Sequence, residues 1–349
     1  MIRGECWRFF GFVACLGVVV SAMGSCTKSA KDLGVSSTEV FVYTALDDIY
    51  SRPVLDAFEQ RTGITVQAVY DTEASKTTGL RTRLVAEKSR PRADVFWNNE
   101  VAQTILLKHE EVLEPYVSMS AAGIPAAYKD WAGYWTGFAA RGRVIIYNTT
   151  LVTTPPDSVH DLLDPAWSGK ACIAKPLFGT TATHVAAWFT GWGDDAAKAF
   201  LQKLRENQIA VVDSNGRVRD EVAKGTYAWG LTDTDDANGA IEDGLPVKWL
   251  FPDQGADGIG TLVIPNTVAL IKGAPHADAG KLLIDFLLSP EVEFMLANMR
   301  SIQIPLNPEL ERPAKVPALK EIKTMDVAFE AIANAMPRSS AFVKDEFLQ

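Results

Sequence analysis

The chain has 349 residues, of which 47% are hydrophobic, and carries nine tryptophans and a formal charge of −9. That length has room for two lobes of ordinary size and exceeds what one small core needs. The acidic balance, with no basic block anywhere, argues against a nucleic-acid partner.

The first 26 residues, MIRGECWRFFGFVACLGVVVSAMGSC, read as a secretory signal. Arg3 and Arg8 form a basic start, an apolar run follows, and small residues precede Cys26. The tail MGSC resembles a bacterial lipobox with Met23 where leucine is usual, so Cys26 is the expected lipidation site. A cleaved soluble product and an uncleaved anchor are the alternatives. Residues 27–38 have the composition of a tether. Past Cys26 only Cys172 remains, which excludes an intramolecular disulfide in the processed chain and suits a buried thiol.

From residue 39 the order is strand EVFVYTAL, helix DDIYSRPVLDAFEQRTGI, strand ITVQAVYD, a charged helix ending near Lys88, and strand ADVFWNN. Strand, helix, strand, helix, strand is the rhythm of an α/β sheet with crossovers. A helix begins near Val101, and RVIIYN forms a strand around 145. The rhythm then restarts through SGKACIAKP, THVAAWFTGWG, IAVVDSN and RDEVAKGTYAWGLTD, as a second lobe requires. GTLVIPNTVALIKG and two helices follow, and MDVAFEAIANAM is an amphipathic helix that packs on a lobe.

Catalytic signatures are missing. There is no G-x-S-x-G elbow, H-E-x-x-H helix, phosphate-binding G-x-x-x-x-G-K-[ST] loop or dinucleotide-binding turn, and the four histidines (109, 160, 184 and 276) are scattered. A binding protein is expected, not an enzyme.

Several spaced segments carry a family resemblance: VYTAL at 42–46, VLDAFEQRTGI at 54–64, ADVFW at 93–97, RVIIYNT at 143–149 and PLNP at 305–308. Together they resemble periplasmic-type solute-binding proteins of ABC importers, in particular the ferric-iron-binding branch. The resemblance implies an α/β, two-lobed fold with crossing hinge strands and a ligand cleft between the lobes. Lobe 1 is expected from 39–140 plus 266–312, and lobe 2 from 141–265 plus 313–349. It also implies an ABC permease as partner, a monomer, and a place on the periplasmic or extracellular side of the envelope; the lipobox-like MGSC adds an expected lipid anchor to the membrane.

The resemblance places the metal-ligand positions on Asp47, on Asn99 or Glu100, and on Asp235 and Asp236, where iron-binding members have two tyrosines. Phenolate is a strong ligand for ferric iron, whereas a carboxylate pair also suits calcium, magnesium or an organic ammonium. By analogy Tyr43 and Trp97 face the cleft. Gly179, Thr180 and Thr181 precede a helix, the arrangement in which free N–H groups meet an anion. Asn215 starts another such turn, and Arg141, more than Arg143, is a candidate anion contact. Two cargoes fit: a metal cation, Fe3+ or Ca2+, on Asp47, Glu100, Asp235 and Asp236, with or without a synergistic anion; or a zwitterion such as an aminophosphonate. Asp233 is read as holding its loop, and His184 as structural.

Overall fold

The computed structural model describes residue 1, residues 34–71 and residues 78–349. The expected signal segment, Cys26 and the tether up to residue 33 lie outside the described residues. Among the described residues no helix is long and apolar enough to cross a membrane.

β-Branched and aromatic side chains give Glu39–Thr44 (β1) its extended form, and it pairs in parallel with Thr65–Tyr70 (β2) and Val95–Asn98 (β3). The connections are the helices Asp48–Thr62 (α1) and Thr78–Ala86 (α2). In α1, Val54, Leu55 and Phe58 recur at helical spacing on the buried side, and Gly63 ends the helix with a left-handed φ of 70°. The helix Val101–His109 (α3) follows β3, and the short Leu113–Glu114 (β4) follows α3.

Thr136–Asn148 (β5) is the strand on which the molecule turns. Residues 136–142 pair antiparallel with Val263–Ile271 (β10). From Arg143 onward β5 pairs with Trp229–Asp233 (β8) and, from Ile145, with Val247–Leu250 (β9). The change of partner falls beside Gly142, where a Cβ would lie 2.6 Å from the Phe251 ring, so only glycine fits. Beyond β8, Ala171–Ala174 (β6) and Ala210–Val212 (β7) continue the sheet in parallel, giving the order β2-β1-β3-β10-β5-β8-β6-β7. The helices of this half are Gly179–Gly191 (α4), Asp194–Glu206 (α5), Asn215–Lys224 (α6) and Thr234–Glu242 (α7).

After β10 the chain returns to the first half, where Ala277–Leu287 (α8) packs on β1, β3 and β10 beside Pro290–Asn298 (α9). Phe329–Phe342 (α10) packs against α3 of one half and α4 of the other. Placing all of 313–349 on the second lobe thus describes only part of its contacts. Glu330 pairs with Lys108 at 3.7 Å and with His109, and Arg338 pairs with Asp194 at 2.9 Å, so α10 is pinned to both halves.

Candidate functional site

Parallel strands end where their following helices begin, so the starts of α1, α4, α6 and α7 gather at one edge, where ligands bind in open α/β sheets. There a cavity of about 370 Å³ is lined by Asp47 and Asn99 from the first half and, from the second, by the starts of α4, α6 and α7. A second cavity of about 730 Å³ lies at the far end of α3, near Lys108, Tyr128 and Trp135, and none of the expected site residues lines it.

Arg141 and Arg143 lie two apart on β5 and so share one face of the strand. Arg143 is fully buried and joins three helix starts. Its Nη1 lies 2.7 Å from Asp233 Oδ1 and 3.1 Å from both Thr180 Oγ1 and Asn215 Oδ1; its Nη2 donates to Thr181 Oγ1 at 3.3 Å. Asp233 Oδ2 accepts from Thr180 Oγ1 at 2.6 Å and from Asn215 Nδ2 at 3.0 Å. A buried charge is tolerated when paired and hydrogen-bonded in this way. His184 accepts from Arg143 Nε at 3.5 Å; burial, then the Arg143 charge, holds it well below the usual imidazole range and therefore neutral.

Arg141 is different. Its Nη1 lies 3.0 Å from Asp235 Oδ2 and 3.9 Å from Asp233 Oδ2, while Nε and Nη2 are buried with no hydrogen-bond acceptor. The residue is 5% exposed and lines the cavity. Burial opposes its charge, but Asp235, then Asp233, Asp47 and Asp236, outweigh it and raise its pKa. Three N–H groups of a firmly charged guanidinium, one on Nε and two on Nη2, thus lack an acceptor at a residue that lines the cleft.

Nearby, α4 starts without a side-chain cap: Phe178 at the N-cap offers none, and Gly179 turns the chain with a φ of 55°. The first N–H groups of a helix have no intrahelical partner, and the helix dipole favours an anion there. By contrast Ser214 caps α6, accepting from Arg217 N at 3.1 Å. Asp235 and Asp236 occupy the first turn of α7, directly after β8, where the backbone turns. Asp236 accepts from Thr232 Oγ1 at 3.2 Å, and Arg219 stands 4.0 Å from it.

Of the expected residues, Asp47, Asn99, Arg141, Gly179, Thr180, Thr181, Asn215, Asp235 and Asp236 line this one cavity. The hydroxyls of Thr180 and Thr181 and the amide of Asn215 bond to Arg143 and Asp233. Three expectations need correction. Tyr43 points to α2 and not into the cleft: its hydroxyl donates to Glu87 at 2.9 Å and Arg83 lies 4.5 Å over its ring. Burial, with that bond, pushes the phenol up to about 12. Trp97 is wholly buried against Phe138, ring centres 5.7 Å apart. Glu100 is the N-cap of α3, its carboxylate accepting from Ala102 N and, at 2.8 Å, from Gln103 N; burial raises its pKa, and it does not line the cavity.

The acidic set is consequently Asp233, Asp235 and Asp236, whose oxygens come within 4.8 Å of one another. Sequence reasoning gave Asp233 only a loop-holding role and ranked Arg143 below Arg141. The R-x-R spacing on a strand was the available signal for Arg143. Tyr50, in the first turn of α1, was also missed; burial, then Asp235, Asp236 and Asp47, push its phenol up to about 12.

Residues 54–324 match the family of bacterial extracellular solute-binding proteins. The chain belongs to this family. It is 28% identical over 295 residues to a Salmonella typhimurium protein named for binding 2-aminoethylphosphonate in the periplasm, covering 83% of this chain and 82% of the relative. It is 25% identical over 312 residues to the major ferric iron-binding protein of Neisseria meningitidis, covering 84% and 89%. Its fold matches that of iron-bound HitA from Pseudomonas aeruginosa with a TM-score of 0.79 at 21% identity, covering 88% of this chain and 99% of the other. The fold is therefore the two-lobed periplasmic-binding fold, and the protein is an ABC-type periplasmic solute-binding protein. Proteins of this family serve ABC permeases and bind small ligands or metal ions; they are receptors for transport.

Proposed function

We propose that this protein captures a small zwitterionic organophosphorus solute, such as an aminophosphonate, and presents it to its permease. The observation that carries this reading is Arg141, a residue that lines the cavity beside the start of α4, itself without a side-chain cap, and whose buried Nε and Nη2 have no acceptor. Guanidinium and helix N-terminus are complementary to a phosphonate. Asp235 and Asp236 on one side, with Asp47 across the cleft, are complementary to an ammonium group. The Salmonella relative's name supports the same chemistry.

The competing reading is a metal cation, ferric iron or calcium, favoured by the three carboxylates within 4.8 Å and by the names of the iron-binding relatives. Against it, Asp233 is already engaged by Arg143, Thr180 and Asn215, and Asp235 by Arg141. A metal ion would have to displace a guanidinium from those oxygens. No tyrosine among the described residues lines the cavity to supply phenolate. Native mass spectrometry of protein purified without added ligand tests the proposal: a bound organic mass supports it, and a bound metal ion overturns it. We also propose attachment at the membrane through Cys26, which metabolic labelling with a fatty acid would test.

A further inference from the structure

We propose that Asp235 is the specificity-determining residue of this cleft, because it forms an internal ion pair with Arg141 that only a zwitterion can exchange without leaving a charge unmatched. The inference rests on the zwitterion reading above.

The four charges Arg143, Asp233, Arg141 and Asp235 alternate in a row. Arg143 to Asp233 is 2.7 Å, Asp233 to Arg141 is 3.9 Å, and Arg141 to Asp235 is 3.0 Å. The first two members of the row are fixed, since Arg143 is fully buried and Asp233 is held by Thr180 and Asn215 as well. Exchange is therefore confined to the last pair of the row, Arg141 and Asp235, both of which line the cavity.

An anion that docks on the Nε and Nη2 side of Arg141 shares the guanidinium's charge with Asp235, which pairs through Nη1, and brings a second negative charge beside that carboxylate. Like charges at such range repel, more strongly as the cleft closes and water leaves. A simple cation that docks on Asp235 draws the carboxylate from Arg141, whose next carboxylate is the more distant Asp233. A molecule with both charges replaces one internal pair with two pairs to itself. Charge is conserved within the cleft, and every group keeps an opposite neighbour. The internal pair thus acts as a stand-in ligand that penalises half-matched solutes.

The test uses calorimetric titration of the full chain with three probes: 2-aminoethylphosphonate, ethylphosphonate and ethanolamine. The wild type should favour 2-aminoethylphosphonate over ethylphosphonate by roughly 10- to 150-fold, the equivalent of one charge-assisted hydrogen bond, and should bind ethanolamine least. Asp235→Asn should weaken 2-aminoethylphosphonate and tighten ethylphosphonate, bringing the two within about threefold of each other. Arg141→Lys keeps the charge and removes N–H groups, so both phosphonates should weaken while their ratio persists; this second variant decides the matter if Asp235→Asn does not fold. An unchanged ratio in Asp235→Asn, or a ratio lost in Arg141→Lys, overturns the exchange while leaving the zwitterion reading intact. If the wild type binds none of the organic probes but takes up ferric ion, the zwitterion reading fails first and the exchange falls with it.

Discussion

The lobe that carries β6, β7 and β8 gives the cleft three helix starts tied together by Arg143, whereas the lobe that carries β1, β2 and β3 gives it Asp47 and Asn99. One wall is a cross-linked polar network with its hydrogen bonds largely made; the other is two side chains at the ends of strand–helix turns. A wall assembled before the ligand arrives loses little freedom on binding, so recognition is concentrated there. Under the proposed reading, Asp47 on the sparse wall would add the charge that an ammonium group needs.

The largest way to break this contrast is to remove its centre. Arg143→Leu should leave Asp233 buried beside an apolar side chain, and loss of one partner of a buried pair costs about 3–5 kcal/mol. Denaturant unfolding of the empty protein should show that loss as a lower midpoint; a midpoint equal to wild type would mean the network does not organise the wall. Gly179→Ala is expected to cost about 1 kcal/mol. No atom lies within 4 Å of where its Cβ would be, so the penalty comes from the positive φ alone. Thermal melting would show that cost, and an unaltered melt would mean that the strained turn is dispensable.

Asp47→Asn probes the opposite wall. Stability should stay within about 0.5 kcal/mol, while affinity for a zwitterion drops about fivefold, as befits one partly exposed charge. Equal losses from the two walls would erase the asymmetry. The smallest effect is spectroscopic. Tyr50 should ionise with a midpoint of about 12, raised by burial first and then by Asp235, Asp236 and Asp47. The unfolded phenol ionises at about 10. Between those two values the unfolded chain has released a proton that the folded chain keeps, so stability should fall as pH rises through that window and be unaffected below it. The difference between ultraviolet titrations of the wild type and Tyr50→Phe isolates this midpoint from those of the other tyrosines, and Asp235→Asn should lower it; a midpoint at about 10 would place Tyr50 away from the acidic wall.

How much of this was legible depended on how local its cause is. Strand–helix alternation and the open start at Gly179 follow from neighbouring residues, and both can be read directly. Tyr43 went astray because a strand's two-residue period decides which face a side chain takes, and only pairing with β2 and β3 fixes that face. Between Asn99 and Glu100 the choice turned on capping: the glutamate bonds its own helix start and leaves the asparagine to the cleft. The ion pairs were out of reach, since Arg143 and Asp233 lie 90 residues apart and nothing near either one announces the other.

α10 has a consequence for folding itself. Its buried face is shared by α3 and α4, and its ends are held by Lys108 and His109 on one side and Asp194 on the other. Melting either lobe would strip the covering from a helix on which the other also depends. The two halves are therefore coupled in unfolding, and calorimetry should find one cooperative transition where two independent lobes would give two.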